Sequence, residues 1–270
     1  MQILFLGTGA ADWPNPGAHS NGGRRLSSLL LDDSILIDFN DMSMDAVREF
    51  RVDANRITDV VIGHPHGDHF GMKAIEELAA LRDASLPPLA VHVNTKALER
   101  SQPSSEAIAS RLELKGYLPG DAFDCHGYHF ESYAANHALE VPGELAAHLV
   151  CTCPSGERLF YTLDGSWFPS RTWIQLRKAK PVDIVVWELT CGTLYDWRVC
   201  EHCNLDMIVI EARFLQTFGF LKPGIPMLCS HIMRTACGDT PQLRKDVNEA
   251  GFMLAEDGMR FSTNGEHAFA

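Results

Sequence analysis

His64-Pro65-His66-Gly67-Asp68-His69 places three imidazoles and a carboxylate within six residues, directly after the apolar run Asp59-Val60-Val61-Ile62. A short strand followed by a loop can turn such side chains toward one point. Neutral imidazole and carboxylate are the ligands that borderline divalent metals take. One ion cannot readily use all four donors from so short a stretch. His64 and His66 share a direction and suit one metal, whereas Asp68 and His69 lie past Gly67 and suit a second. A solvated loop would explain a lone histidine here, but not this density of ligands.

Outward from this cluster, the N-terminal side reads as strands. Ile3 to Leu6 is a buried strand that meets a long glycine- and proline-bearing loop from Gly7 to Arg25. Ser27 to Leu31 and Ile35 to Asp38 flank Asp32-Asp33 and predict a hairpin. Met44 to Phe50 predicts a helix with Ser43 as its N-cap, and Gly71 to Arg82 has helical periodicity.

On the C-terminal side, Leu89 to Val93, Tyr128 to Ala135, Ala146 to Thr152, Arg158 to Leu163, Asp183 to Trp187 and Met227 to Ser230 predict strands. Ser105 to Leu114, Arg171 to Ala179, Leu205 to Phe218 and Gln242 to Glu249 predict helices. Phe252 to Ala255 and Met259 to Ser262 predict a closing hairpin. Helices and strands alternate only in parts, and antiparallel pairs recur. The expected architecture is one α/β domain over residues 1–270, with two mixed sheets packed together and helices outside.

The 270 residues are 46% apolar, which suffices for a real core. A net charge of −12 argues against binding large nucleic acids. It leaves room for a small anionic substrate, because bound cations invert the local field. The eight cysteines form no disulfide framework, and the Cys200/Cys203 pair and the looser Cys151/Cys153 pair read as reduced thiols rather than a zinc site. No signal-peptide pattern or membrane-length apolar run is read, so a reduced cytoplasm is the expected location. A homodimer is compatible with the sequence.

The segment from His64 to His69 resembles the HxHxDH signature of the metallo-β-lactamase superfamily. That resemblance implies a four-layer αββα sandwich and a binuclear hydrolase carrying two divalent ions, zinc or manganese, with iron also accepted. It implies that His64, His66 and His137 hold one ion, that Asp68, His69 and His231 hold the other, and that Asp164 bridges them. Hydrolysis would use a hydroxide shared by the two ions. Gly7-Thr8-Gly9 and Ile35-Leu36-Ile37-Asp38 resemble the phosphodiesterase branch, which includes the tRNA 3′-end-processing endonuclease and the cyclic-phosphate phosphodiesterase of the carbon–phosphorus lyase pathway. Glu201-His202-Cys203-Asn204-Leu205-Asp206, Ser230-His231-Ile232 and Asp257-Gly258-Met259 are similar to the cyclic-phosphate enzyme. The expected catalytic residues are Asp68, Asp38, which would orient a ligand imidazole, and His202, a proton donor to the leaving group.

Two departures matter. Relatives hold a separate zinc with first-loop cysteines and a later histidine, but this chain has Ala18 to Arg24 without cysteine, and Arg234 at the later position. No structural zinc is expected there, and Arg24 and Arg234 are candidates for a substrate anion, or else ordinary solvated arginines. Where the tRNA-processing enzymes place a His-Glu pair, this chain has Trp187-Glu188, and it has no basic arm, which argues against a tRNA endonuclease. The leading expectation is hydrolysis of a small phosphodiester, cyclic ones included. Ester or lactone hydrolysis is the alternative within hydrolases. A non-haem iron redox protein is disfavoured by His66, where such relatives have a carboxylate. A non-catalytic scaffold is disfavoured because no ligand is lost.

Overall fold

The computed structural model describes residues 1–14, 23–263 and 267–269. The first part of the chain forms β1 (Gln2–Gly7), β2 (Ser28–Leu31), β3 (Ile35–Ile37), α1 (Ser43–Glu49), β4 (Asp59–Val61), α2 (Met72–Leu81), β5 (Leu89–Asn94), α3 (Thr95–Leu98), α4 (Glu106–Ala109) and β6 (Leu112–Tyr117). The second part forms β7 (Ala122–Cys125), β8 (Tyr128–Ala134), β9 (Ala147–Thr152), β10 (Arg158–Tyr161), α5 (Ser170–Leu176), β11 (Ile184–Glu188), α6 (Leu205–Thr217), β12 (Met227–Ser230) and α7 (Pro241–Glu249). The tail adds β13 (Met253–Leu254), β14 (Met259–Ser262) and β15 (His267–Phe269).

Among the described residues, one sheet runs β15-β14-β1-β2-β3-β4-β5-β6 and the other β13-β12-β11-β10-β9-β8-β7. Both are mixed: β3 to β6 pair in parallel, as do β10 to β13, while the remaining pairings are antiparallel. Alternation along the strands sorts side chains into layers. Ile3, Phe5, Leu29, Leu31, Ile35, Ile37 and Val61 meet Phe130, Leu149, Leu159, Tyr161 and Val186 between the sheets. The intervening residues of the first sheet, such as Leu4, Leu30, Leu36 and Val60, pack on α1 and α2. Those of the second, such as Val150, Phe160, Val185 and Trp187, pack on α5, α6 and α7. The result is the expected αββα layering.

Local signals explain most helices. α6 starts where the Asn204 side chain accepts from the Met207 N–H at 3.0 Å, and α7 where Thr240 accepts from the Leu243 N–H at 3.1 Å, ahead of Pro241 at the first turn. α2 buries Ala74, Ile75, Leu78 and Ala79 as one stripe.

Four expectations are corrected. Ser43 is not the N-cap of α1. Met42 holds that position without a side-chain cap, and the Ser43 hydroxyl instead accepts from the Asn40 N–H at 3.0 Å. The expected helix from Ser105 to Leu114 is a single capped turn, α4, followed by β6. Pairing with β5 outweighs the weak local helical pattern there. Met253 to Leu254 and Met259 to Ser262 do not pair as a hairpin: β13 joins β12, β14 joins β1, and the turn between them carries the chain from one sheet to the other. The strand β7 was not expected; its short polar sequence Ala122-Phe123-Asp124-Cys125 gains its partner only from β8.

Chain direction places the site. β8, β10, β11 and β12 run the same way, because β9 is antiparallel to both β8 and β10. Their C-terminal ends lead to His137, Asp164, Glu188 and His231, while β3 and β4 lead to Asp38 and the His64–His69 loop. All six segments deliver polar side chains to one end of the sandwich, the carboxyl ends of the parallel strands, where ligands bind in open α/β sheets.

Candidate metal centre

Two groups of donors converge at that end, and a third, Asp164, Glu188, His202 and His231, overlaps the second. In the first, the Nδ1 of His66 lies 3.1 Å from the Nε2 of His64 and 3.1 Å from the Nε2 of His137. In the second, the Nε2 of His231 lies 3.1 Å from the Nε2 of His69 and 3.3 Å from the Oδ2 of Asp68. Asp164 stands between them. Its Oδ2 lies 3.8 Å from His64 Nε2, 3.9 Å from His137 Nε2 and 3.4 Å from His69 Nε2, and its Oδ1 lies 3.2 Å from His231 Nε2. Two nitrogens bound to one tetrahedral cation at about 2.1 Å lie about 3.4 Å apart, so these spacings fit a shared ion. All seven residues singled out in the sequence as ligands meet in these two groups.

The outward-facing atoms explain how the imidazoles are aimed. His69 Nδ1–H donates to Asp38 Oδ2 at 2.7 Å. Asp38 is itself gripped by the Tyr161 hydroxyl at 2.8 Å and the Gly63 N–H at 2.8 Å. His231 Nδ1–H donates to the Thr190 hydroxyl at 2.7 Å, and Thr190 donates on to Glu188. His137 Nδ1 faces the Glu201 carbonyl at 3.3 Å, and His66 Nε2 faces the Glu140 carboxylate at 3.3 Å. With these outer nitrogens protonated, the inner lone pairs of four rings point into the site, the arrangement that fixes tautomer and direction in metal-binding histidines. His64 Nδ1 is the exception and has no partner. Asp38 and His231 both have left-handed backbones, with φ of 56° and 60°, a conformation that non-glycine residues rarely adopt and that is held here by this network.

Burial and neighbouring charges compete at these residues. Burial alone would drive His69 toward neutrality, but Asp164, Asp38 and Asp68 overcome it and raise its pKa well above the usual value. Asp164 is fully buried, yet His231, His69 and His64 hold its carboxyl well below the usual range. Its Oδ1 makes no hydrogen bond. A buried carboxylate oxygen without a donor is costly, and a cation between the two groups would relieve it.

His202 sits beside this centre, its ring centroid 5.0 Å from that of His137 and 5.9 Å from that of His231. Its Nδ1 is 2.6 Å from Glu188 Oε1. Burial depresses the imidazole, but the Glu188 carboxylate outweighs it and lifts the pKa to about 9. Glu188 is 1% exposed and also receives the Cys203 N–H. Sequence reasoning missed the organising role of Glu188, and those of Thr190 and Tyr161. The available signal was a carboxylate ending the apolar strand Ile184-Val185-Val186-Trp187-Glu188.

No protein-family model matches the sequence, and no curated protein is similar to it by sequence. Solved structures are. The fold superimposes 97% of this chain on 99% of YhfI from Bacillus subtilis, a metallo-β-lactamase fold protein, with a TM-score of 0.71 and 15% identity. This chain has the metallo-β-lactamase fold. The whole chain also matches 99% of a diphosphatase from the PhnP family, with a TM-score of 0.71 and 19% identity. A further 97% match covers 99% of the short form of human tRNase Z, with a TM-score of 0.67 and 18% identity.

Within this metallo-β-lactamase fold, several expected residues lie elsewhere than anticipated. Arg24 is committed to protein partners rather than to a substrate anion and is not solvated. It is 3% exposed and donates to Thr8 Oγ1, to the Ala255 carbonyl at 2.7 Å and to Asp239 at 2.8 Å. Arg234 is exposed, in line with the solvated alternative; it reaches the Asp12 carbonyl at 3.1 Å, while Asp12 accepts from the Arg234 and Thr235 N–H groups. Both arginines tie loops together. The expectation of no zinc in the first loop falls largely on residues 15–22, outside the described residues. All eight cysteines are free thiols, and neither the Cys200/Cys203 nor the Cys151/Cys153 pair joins a metal-ligating group among the described residues. Three aromatic residues that read from the sequence as core or surface packing, or else as walls of a pocket, do pack: Trp13 donates its indole N–H to the Ile232 carbonyl at 2.5 Å, Phe168 is core, and Trp167 is 41% exposed at the surface. No helix among the described residues is long and apolar enough to cross a membrane.

Proposed function

We propose that this chain is a binuclear metal-dependent hydrolase of small phosphodiesters, cyclic ones included. His64, His66 and His137 would hold one divalent cation, Asp68, His69 and His231 the other, and Asp164 would contact both. Zinc, manganese and iron all accept this donor set. When bound, the two cations supply Lewis-acid polarisation of the scissile group and a water of lowered pKa.

The chain's own residues do the rest. Asp38 and Tyr161 keep the His69 proton on Nδ1, and Thr190 with Glu188 keeps the His231 proton on Nδ1, so both Nε2 lone pairs stay aimed inward. His202 carries the functional reading. Glu188 holds it as an imidazolium next to both donor groups, with Nδ1 occupied and Nε2 free to donate. Cleaving an alkyl phosphodiester expels an alkoxide, which needs a proton, and a fixed acid at that place supplies it. The likeness to a PhnP-family diphosphatase and to tRNase Z supports phosphorus as the electrophile. The net charge of −12 favours a small substrate over tRNA.

Lactone hydrolysis also expels an alkoxide, so the same acid serves the second reading. A substrate screen with metal-loaded protein separates them: linear and cyclic phosphodiesters, lactones and thioesters. Phosphodiester turnover is expected. Clear lactone turnover with none on any phosphodiester would overturn the proposal.

A further inference from the structure

At the opposite end of β4 from the metal centre lies a second cluster of ligating side chains. Asp59, the first residue of β4, is 1% exposed, His92 of β5 is 3% exposed, and Cys125 at the end of β7 is fully buried. The three come from both sheets. Asp59 Oδ1 lies 2.9 Å from His92 Nε2, and Cys125 Sγ lies 3.4 Å from the same nitrogen. One ligand atom from each residue falls within a sphere that could hold an ion.

The geometry is wrong for a hydrogen-bonded Cys-His-Asp relay. A relay uses the two nitrogens of the imidazole, one toward the thiol and one toward the carboxylate. Here both partners converge on Nε2, which has a single proton or a single lone pair. A cation at the point of convergence would satisfy all three at once. Around a tetrahedral zinc, an oxygen and a nitrogen ligand lie about 3.3 Å apart, and a nitrogen and a sulfur about 3.6 Å. The observed spacings need to open by only a few tenths of an ångström.

The surroundings hold the ligands in place. Phe123 stacks on the His92 ring, with centroids 4.9 Å apart and planes 12° apart. His126, in the β7–β8 turn, places Nδ1 2.5 Å from the second oxygen of Asp59 and orients that carboxylate. His126 has a φ of 43°, a left-handed turn position usually given to Asn or Gly, and its side chain is half-exposed at the mouth of the cluster. Through it the otherwise buried Asp59 touches a side chain that reaches the surface.

We propose that Asp59, His92 and Cys125 form a separate binding site for one thiophilic divalent cation of the zinc type, which cross-links the two sheets at the end remote from the catalytic groups. A thiolate ligand selects zinc over magnesium, calcium or manganese. The inference does not depend on the proposed hydrolase activity.

The test uses cobalt(II) as the probe on the metal-stripped full-length chain. The seven-residue centre contains no sulfur, so a near-ultraviolet thiolate-to-cobalt charge-transfer band reports a cysteine-bound ion alone. The expected result is such a band, saturating at one equivalent per chain, absent from Cys125→Ser and His92→Gln, and retained when His66→Ala disrupts the other centre. Zinc content measured after reconstitution should be one equivalent higher in the wild type than in Cys125→Ser, whatever the occupancy of the catalytic groups. A wild-type protein saturated with cobalt that shows no such band would overturn the proposal, and that outcome needs no variant to fold. A band that survives in Cys125→Ser would assign the thiolate to another cysteine and overturn it equally.

Discussion

Replacing His202 by alanine tests the leaving-group role directly. Glu188 lifts the imidazole pKa to about 9, which favours the protonated ring at neutral pH, while cations held beside it would act in the opposite direction. Its Nδ1 is committed to Glu188 at 2.6 Å, which fixes the ring and leaves one nitrogen to act. A positioned general acid is worth about 10²–10⁴ in rate, or about 2.7–5.4 kcal/mol of barrier. The expected loss for His202→Ala on an alkyl phosphodiester therefore lies in that range, with the metal content unchanged. On an aryl ester such as a p-nitrophenyl phosphodiester the leaving group needs little protonation, and the loss should shrink toward unity. The assay is steady-state turnover on both substrates beside elemental analysis of the same preparations. An equal loss on both substrates would refute the role, as would a loss explained by missing metal.

The same residue predicts a pH limb. Glu188 raises the folded-state pKa, to about 9 without cations, so the donating form is lost as pH rises and alkyl phosphodiester turnover should show an alkaline limb, which bound cations shift to lower pH. Glu188→Gln removes the charge that opposes burial and should move the limb to lower pH; an unmoved limb assigns it elsewhere. Asp164→Asn, like Asp164→Ala, should abolish most turnover with the fold retained, because an amide lacks the charge that two cations need; wild-type rates would remove Asp164 from the centre. Metal analysis of Cys125→Ser, which isolates the catalytic groups, should give two divalent ions per chain, and saturation at one or none with every metal tried would end the binuclear reading. Tyr161→Phe removes one of the donors holding Asp38 and should weaken metal binding about 10–100-fold, measured by chelator competition; unchanged affinity would show that the phenol only packs.

Much of the site was legible because its chemistry is dense and local. His64 to His69 declare themselves by residue type and spacing, and the strands before them by apolar runs. Asp38 was legible as a polar residue closing an apolar strand. Glu188 ended an apolar strand in the same way, but nothing local showed that it would meet His202, fourteen residues on. Arg24 reads from the sequence as a partner for a substrate anion or as a solvated arginine; its burial depends on Asp239 and the Ala255 carbonyl, more than two hundred residues away. The helix expected from Ser105 to Leu114 failed because an edge-strand pairing with β5 competes with a weak helical pattern and wins.

By itself, the sequence determined the layered α/β class, the order of most strands and helices, and the donor cluster from His64 to His69; His137, Asp164 and His231 entered only through the family resemblance. The first three follow from hydrophobic periodicity and from donor types clustered at a strand end, which are properties of short windows. Only the tertiary structure decided the rest: that β13 and β14 belong to different sheets, that Glu188 joins His202 to Thr190 and His231, and that Asp59, His92 and Cys125 meet between the sheets. Each of these depends on which strands become neighbours, and in what direction they run. That is set by burying the faces of two whole sheets against each other, a global sum of many small packing energies that no local stretch of sequence records.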